Sequence, residues 1–186
     1  ACAKTPSESS SQIIEESSSI IEETSSSLIA ESSSSSSSSS SKIVSSLPVI
    51  SGPLQLKNDS GMVVNFAKKG ARIESLYIDN KLVGQNGFIA GRVANRIKGG
   101  SFTLNGTTYN INKNEGSNTL HGGSRGFGEV DWTVKELTGE SIVFSYLSPD
   151  GDMGFPGEMN VEVKYTLNND GDLTYEISAT SDKDTI

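Results

Sequence analysis

Glycine and aromatic residues are confined to one part of this chain. The first glycine is Gly52 and the first aromatic residue is Phe66. Before them the chain is mostly Ser, with Glu, Ile and an unbroken serine run from Ser32 to Ser41. A segment so poor in large apolar side chains cannot bury enough surface to offset the entropy of ordering it. Residues 1–50 are therefore expected to be a disordered Ser/Glu-rich low-complexity tether, and 51–186 to be the folded region. Six Glu against Lys4 and Lys42 leave the tether at −4, half of the chain's −8. Self-repulsion favours extension, and a flexible coil of this length would separate its ends by roughly 40 Å. Its adjacent apolar pairs, Ile13-Ile14, Ile20-Ile21 and Leu28-Ile29, recur at seven- and eight-residue spacing without the separated positions of a heptad. A spacer is the simpler reading.

The acidic balance argues against nucleic acid as a partner. One Cys allows no disulfide within the chain, and one Cys with one His leaves no metal site of the usual zinc type. No apolar run approaches the roughly 18 residues of a membrane-spanning helix. Cys2, preceded by Ala1 and followed by a polar Ser-rich stretch, looks like the lipid-modified Cys of a bacterial lipoprotein. On that reading Cys2 is a lipid anchor, and the folded region stands off a membrane in the cell envelope or another extracytoplasmic place. Without the lipid, the protein would be cytoplasmic. Stable anchoring needs more than one acyl chain, which the lipoprotein modification would supply.

The folded region reads as strands and turns. Met62, Val64 and Phe66 alternate on one face, and Arg72–Ile78 forms a second candidate that ends at Asp79-Asn80. Ser101–Ile111 is a hairpin, with Asn105-Gly106 supplying the positive φ angles of a two-residue turn. Two more strands, Trp132–Leu137 and Ser141–Leu147, flank Thr138-Gly139. Val161, Val163, Tyr165 and Leu167 are answered by Leu173, Tyr175 and Ile177 across Asn168–Gly171. Period-two patterning with no convincing helix places the fold in the all-β class, as a sandwich or barrel.

Three segments break the pattern. Gly91-Arg-Val-Ala-Asn-Arg-Ile97 offers many fixed donors suited to a hydroxyl-rich ligand. On composition alone, two surface arginines flanking a strand are the simpler reading. Asn118–Gly128 carries the only His, His121, before a Gly pair that lets backbone approach closely. Ser148–Gly157 holds Asp150 and Asp152, too few oxygens for a calcium loop, and reads as a rigid turn.

The order and spacing of these segments are more informative than any one of them. Gly-Arg-Val-Ala-Asn-Arg-Ile, Phe-Thr-Leu-Asn-Gly, Asn-x-Leu-His-Gly-Gly-x-x-Gly-Phe with a Trp after it, and Ser-Pro-Asp-Gly-x-x-Gly-Phe-Pro-Gly with its following strand closely resemble the aldose 1-epimerase (galactose mutarotase) family. The resemblance runs from about Pro53 to Ile186. It implies a galactose-mutarotase-like β-sandwich, incomplete here, and interconversion of the α and β anomers of free hexoses such as galactose and glucose, without a cofactor. In that chemistry a base takes the anomeric hydroxyl proton while an acid protonates the ring oxygen. Asn95, Arg96 and His121 are then the substrate-binding residues, and Phe127 is expected to help wall the pocket. Trp132, Phe144 and Tyr146 are expected in the core.

The family's general acid His and general base Glu belong to segments expected beyond Ile186. Residues 1–186 are thus expected to be a fragment holding no catalytic acid or base, inactive, and poorly soluble or partly unfolded over 51–186 alone. The competing readings are a non-catalytic carbohydrate-binding surface lipoprotein of the same fold, and an epimerase of phosphorylated hexoses. The link between Ile78 and Gly87 is shorter than is usual in the family, which bears on sugar preference.

Overall fold

The computed structural model describes residues 50–186. Residues 1–49 of the expected tether, Cys2 among them, lie outside the described residues. Strand formation follows the alternation in the sequence. In β1 (Gln55–Lys57), β2 (Met62–Ala67), β3 (Arg72–Ile78) and β4 (Lys81–Gly87), neighbours pair antiparallel in chain order. Leu56, Val64 and Phe66 point inward and are buried. The β2–β3 register shifts between Asn65 and Phe66, a bulge that leaves Glu74 without a partner on β2 and twists the pair. The β3–β4 turn uses Asp79 and Asn80, both at positive φ (49° and 61°), as a two-residue hairpin requires.

Two short ribbons follow. Arg96–Ile97 (β5) pairs with Thr119–Leu120 (β8), and Ser101–Leu104 (β6) pairs with Thr107–Asn110 (β7) around Asn105-Gly106. The second four-stranded sheet is β9 (Thr133–Leu137), β10 (Ser141–Ser148), β11 (Met159–Leu167) and β12 (Leu173–Ser181), again antiparallel between neighbours. Among the described residues the helical structure amounts to two single 3₁₀ turns, Lys98–Gly100 and Asp152–Gly154.

One apolar core joins the two larger sheets. Leu56, Val64 and Phe66 of the first meet Ile142, Phe144, Val161, Val163, Tyr165 and Leu167 of the second. Phe66 lies 4.9 Å from the Tyr165 ring and 6.1 Å from Phe144, centroid to centroid. This is the face-to-face layering of a β-sandwich. Tyr165 is buried yet satisfied, since its hydroxyl donates to the Ala71 carbonyl at 2.8 Å. Burial raises its pKa to about 12. Trp132 and Phe144 are buried as expected, and Tyr146 is half-buried.

The last strand departs from its pattern. Tyr175 and Ile177 alternate correctly, but they are 63% and 52% exposed. The strand pairs along its whole length with β11, which satisfies the backbone groups on that side, while its outer edge and its apolar face are uncovered. β4 was not legible as a strand, since Gly84, Gln85, Asn86 and Gly87 have low strand propensity. It forms because the hairpin turn returns the chain alongside β3.

Candidate functional site

The loops between the sheets bring two of the unusual segments into backbone contact. Gly91 O accepts from Phe127 N–H at 3.0 Å. A Cβ on Gly122 would lie 1.8 Å from Gly91 O, and one on Gly126 would lie 2.0 Å from His121 O. Only glycine permits this approach. The loop is then tied to the core from below. Phe127 packs edge-on to Trp132 at 5.7 Å, and Trp132 Nε1–H donates to the Phe127 carbonyl at 2.9 Å. Phe127 is therefore an anchor of the loop, 6% exposed. The expectation that it walls the pocket is corrected: its ring lies under Gly91 and faces the core.

On this base the structure assembles Asn95, Arg96 and His121. Asn95 and His121 clasp each other. His121 N–H donates to the Asn95 carbonyl at 2.9 Å, and Asn95 N–H donates to His121 Nδ1 at 3.0 Å. Both residues sit at positive φ, 63° and 50°. Non-glycine residues held there store strain of about 1–3 kcal/mol each, which the surroundings must overdetermine. The clasp also assigns the imidazole tautomer. With Nδ1 accepting, neutral His121 carries its proton on Nε2 and presents it as a donor. Arg96, opposite Leu120 in the β5–β8 pair, donates from Nη1 to Asn95 Oδ1 at 3.1 Å.

The sequence did not single out two partners of this group. Phe88 stands edge-on to His121, 5.9 Å between centroids at 83°. It lines a cavity of about 180 Å³ together with His121, Asn114 and Leu120. Nothing in its local pattern marks it except that a large apolar residue follows a Gly-rich strand. Glu115 receives Arg96 Nε–H and Nη2–H in a two-bond fork, each at 2.5 Å. The spacing of 19 residues between these two hides the pair from any local reading. The fork holds the Glu115 carboxyl below its ordinary pKa and the Arg96 guanidinium above its own.

The other arginine of the first segment does different work. Arg92 is not at the site but clamps Ser148–Gly157. It donates to Ser148 Oγ and O, to the carbonyls of Pro149, Pro156 and Gly157, and to Thr185 Oγ1, at 2.7–3.2 Å. Partial burial lowers its pKa, against the opposing pull of Asp152 and Asp150. Asp150 accepts from Gly157 N–H and from Lys183, and Asp152 accepts from Ser148 Oγ. The third segment is thus a rigid turn, as its composition implied.

The chain as a whole has known relatives. The family model for aldose 1-epimerase matches residues 53–186. The chain belongs to the aldose 1-epimerase family. It is 48% identical over 99 residues to the galactose mutarotase of Sus scrofa, covering 53% of this chain and 28% of that protein. It is 36% identical over 149 residues to the aldose 1-epimerase of Haemophilus influenzae, covering 71% and 44%. Among solved structures, the GalM/aldose epimerase homologue from C. elegans superposes with a TM-score of 0.66 at 31% identity, over 72% of this chain and 47% of that one. The galactose 1-epimerase from Lactobacillus acidophilus gives 0.65 at 28%, over 71% and 45%. The chain thus spans less than half the length of these relatives. The all-β expectation holds, and family membership follows the motif order by which the resemblance was read.

Proposed function

We propose that this chain supplies the sugar-holding side of an aldose 1-epimerase acting on free hexoses. The observation that carries the reading is the Asn95–His121 clasp with Arg96 beside it, which fixes a set of donors at one loop cluster. Anomer interconversion breaks the C1–ring-oxygen bond as the anomeric hydroxyl loses its proton and the ring oxygen gains one. The open-chain aldehyde then turns about C1–C2, and the ring recloses on the other face. His121 Nε2–H, Arg96 and Asn95 Nδ2 donate to sugar oxygens, and their contribution is position rather than proton transfer. None of the three is set as a proton acceptor. General acid and base groups, each contributing about a hundred- to ten-thousand-fold, are therefore supplied by other residues of the whole protein.

The same feature supports a second reading, a carbohydrate-binding protein that kept the donors without the chemistry. Polarimetry of fresh α-D-galactose, with the full-length product of the gene, separates the two. Mutarotation faster than buffer supports the epimerase. Galactose binding by calorimetry at the buffer rate of mutarotation supports the binder, and absence of both refutes the sugar site. We further propose a lipid-anchored, extracytoplasmic placement, on the Cys2 that stands ahead of a serine-rich stretch. Metabolic labelling with palmitate tests it, and an unlabelled product, or equal labelling of a Cys2→Ala variant, refutes it.

A further inference from the structure

The Arg96–Glu115 pair is open to solvent, with side-chain exposures of 54% and 35%. An exposed ion pair adds less than about 1 kcal/mol to folding, so stability does not explain why both partners are so tightly placed. Glu115 is placed by its backbone. It exchanges two hydrogen bonds with Asn118, Glu115 N–H to Asn118 O at 3.1 Å and Asn118 N–H to Glu115 O at 2.9 Å, across a turn at Gly116-Ser117. Outside that turn, Asn114 bonds Leu120 through both its amide N and its amide O. Asn118 Oδ1 also accepts from Gly99 N–H, on the segment that continues Arg96. The carboxylate is therefore held opposite Arg96 before any ligand arrives.

The donor count then matters. A guanidinium has five N–H groups. Two go to Glu115 and one to Asn95 Oδ1, which leaves two for a ligand, in a plane that the fork fixes. The fork also cancels the Arg96 charge. Arg96 and Lys98 line one open groove with Gly99, Ser117 and Asn118. With Glu115 ionised, that groove carries one net positive charge instead of two.

We infer that Glu115 is a positioning residue for sugar recognition, which holds Arg96 in a fixed orientation and, by neutralising it, tunes the site to uncharged rather than anionic sugars. This inference rests on the sugar-binding reading above. It is tested in the full-length protein with Glu115→Ala, Glu115→Gln and Glu115→Asp, using α-D-galactose as substrate and D-galactose 6-phosphate as competitor. Loss of one charge-assisted fork raises KM for galactose on the order of tenfold, with kcat within about twofold. Aspartate restores part of the loss, and the phosphate competitor binds more tightly to the Ala and Gln variants than to wild type. The melting temperature stays within a few degrees, as an exposed pair requires.

An unchanged KM in Glu115→Ala overturns the inference. So does an equal fall of kcat and stability with no rescue by aspartate, which marks a structural role, and so does a phosphate competitor that binds no better. If the wild-type protein does not accelerate mutarotation, the proposed function fails. The inference is then decided by calorimetric binding of galactose: weaker binding in Glu115→Ala upholds it, and equal binding or no wild-type binding overturns it.

Discussion

Gly122→Ala is the substitution that most sharply tests how the site is built. Gly122 sits at φ +85°, and the added Cβ would lie 1.8 Å from Gly91 O, 2.4 Å from Gly91 C and 2.5 Å from Arg92 N. All three are backbone atoms, so no flexible side chain can yield. The cost has two parts. Positive φ costs an alanine about 1 kcal/mol. Displacing packed backbone costs a further 1–3 kcal/mol, roughly. Gly106→Ala is the matched control: φ is +79°, and nothing lies within 4 Å of its Cβ, so only the first part applies. In urea melts of the full-length protein, Gly122→Ala should destabilise by about 2–4 kcal/mol and Gly106→Ala by about 1 kcal/mol. Because the Gly91–Asn95 segment must move away from His121, the clasp opens and galactose binding falls as well. Equal destabilisation by the two variants, or full binding in Gly122→Ala, would refute the argument that close backbone approach sets the site.

Two other substitutions check the frame around the site. Arg92→Lys replaces a planar fork that reaches several carbonyls by a single ammonium; the carbonyls it abandons should cost about 2–4 kcal/mol, read as a lower urea midpoint, and no loss would show the clamp to be idle. Tyr165 is held protonated by burial, with its pKa raised to about 12. A raised pKa means that stability is fully present below the unfolded value near 10 and is lost as pH climbs toward 12; Tyr165→Phe should abolish the part of the alkaline melting transition that lies between those limits, and an unchanged alkaline limb would show that Tyr165 does not set it.

Much of this was readable from residue types alone. The alternation along β2 and β11 named the inward faces because a strand's side-chain period is two, and Val64, Phe66, Val161, Val163, Tyr165 and Leu167 are buried accordingly. Asn105-Gly106 fixed one hairpin by the φ angles it tolerates. What could not be read depends on long-range placement. Arg92 and Arg96 look equivalent in the chain, yet a four-residue separation across a loop sends one to the Ser148–Gly157 turn and the other to Glu115. Phe127 looked like a pocket wall because it follows the His loop; it turns inward because Trp132 offers it an aromatic edge and a donor to its carbonyl. Phe88 takes the place beside His121 only because Gly128 leaves room: a Cβ there would fall 2.3 Å from the Phe88 ring.

The most direct test of the account is polarimetry of α-D-galactose with the full-length protein and its His121→Ala and Arg96→Ala variants, alongside calorimetric binding. Mutarotation well above the buffer rate is expected for the wild type. Each variant should lose at least about tenfold in kcat/KM together with weaker galactose binding. A wild-type rate equal to buffer, or variants that keep both wild-type activity and wild-type affinity, would contradict the assignment of Asn95, Arg96 and His121 as the hexose site.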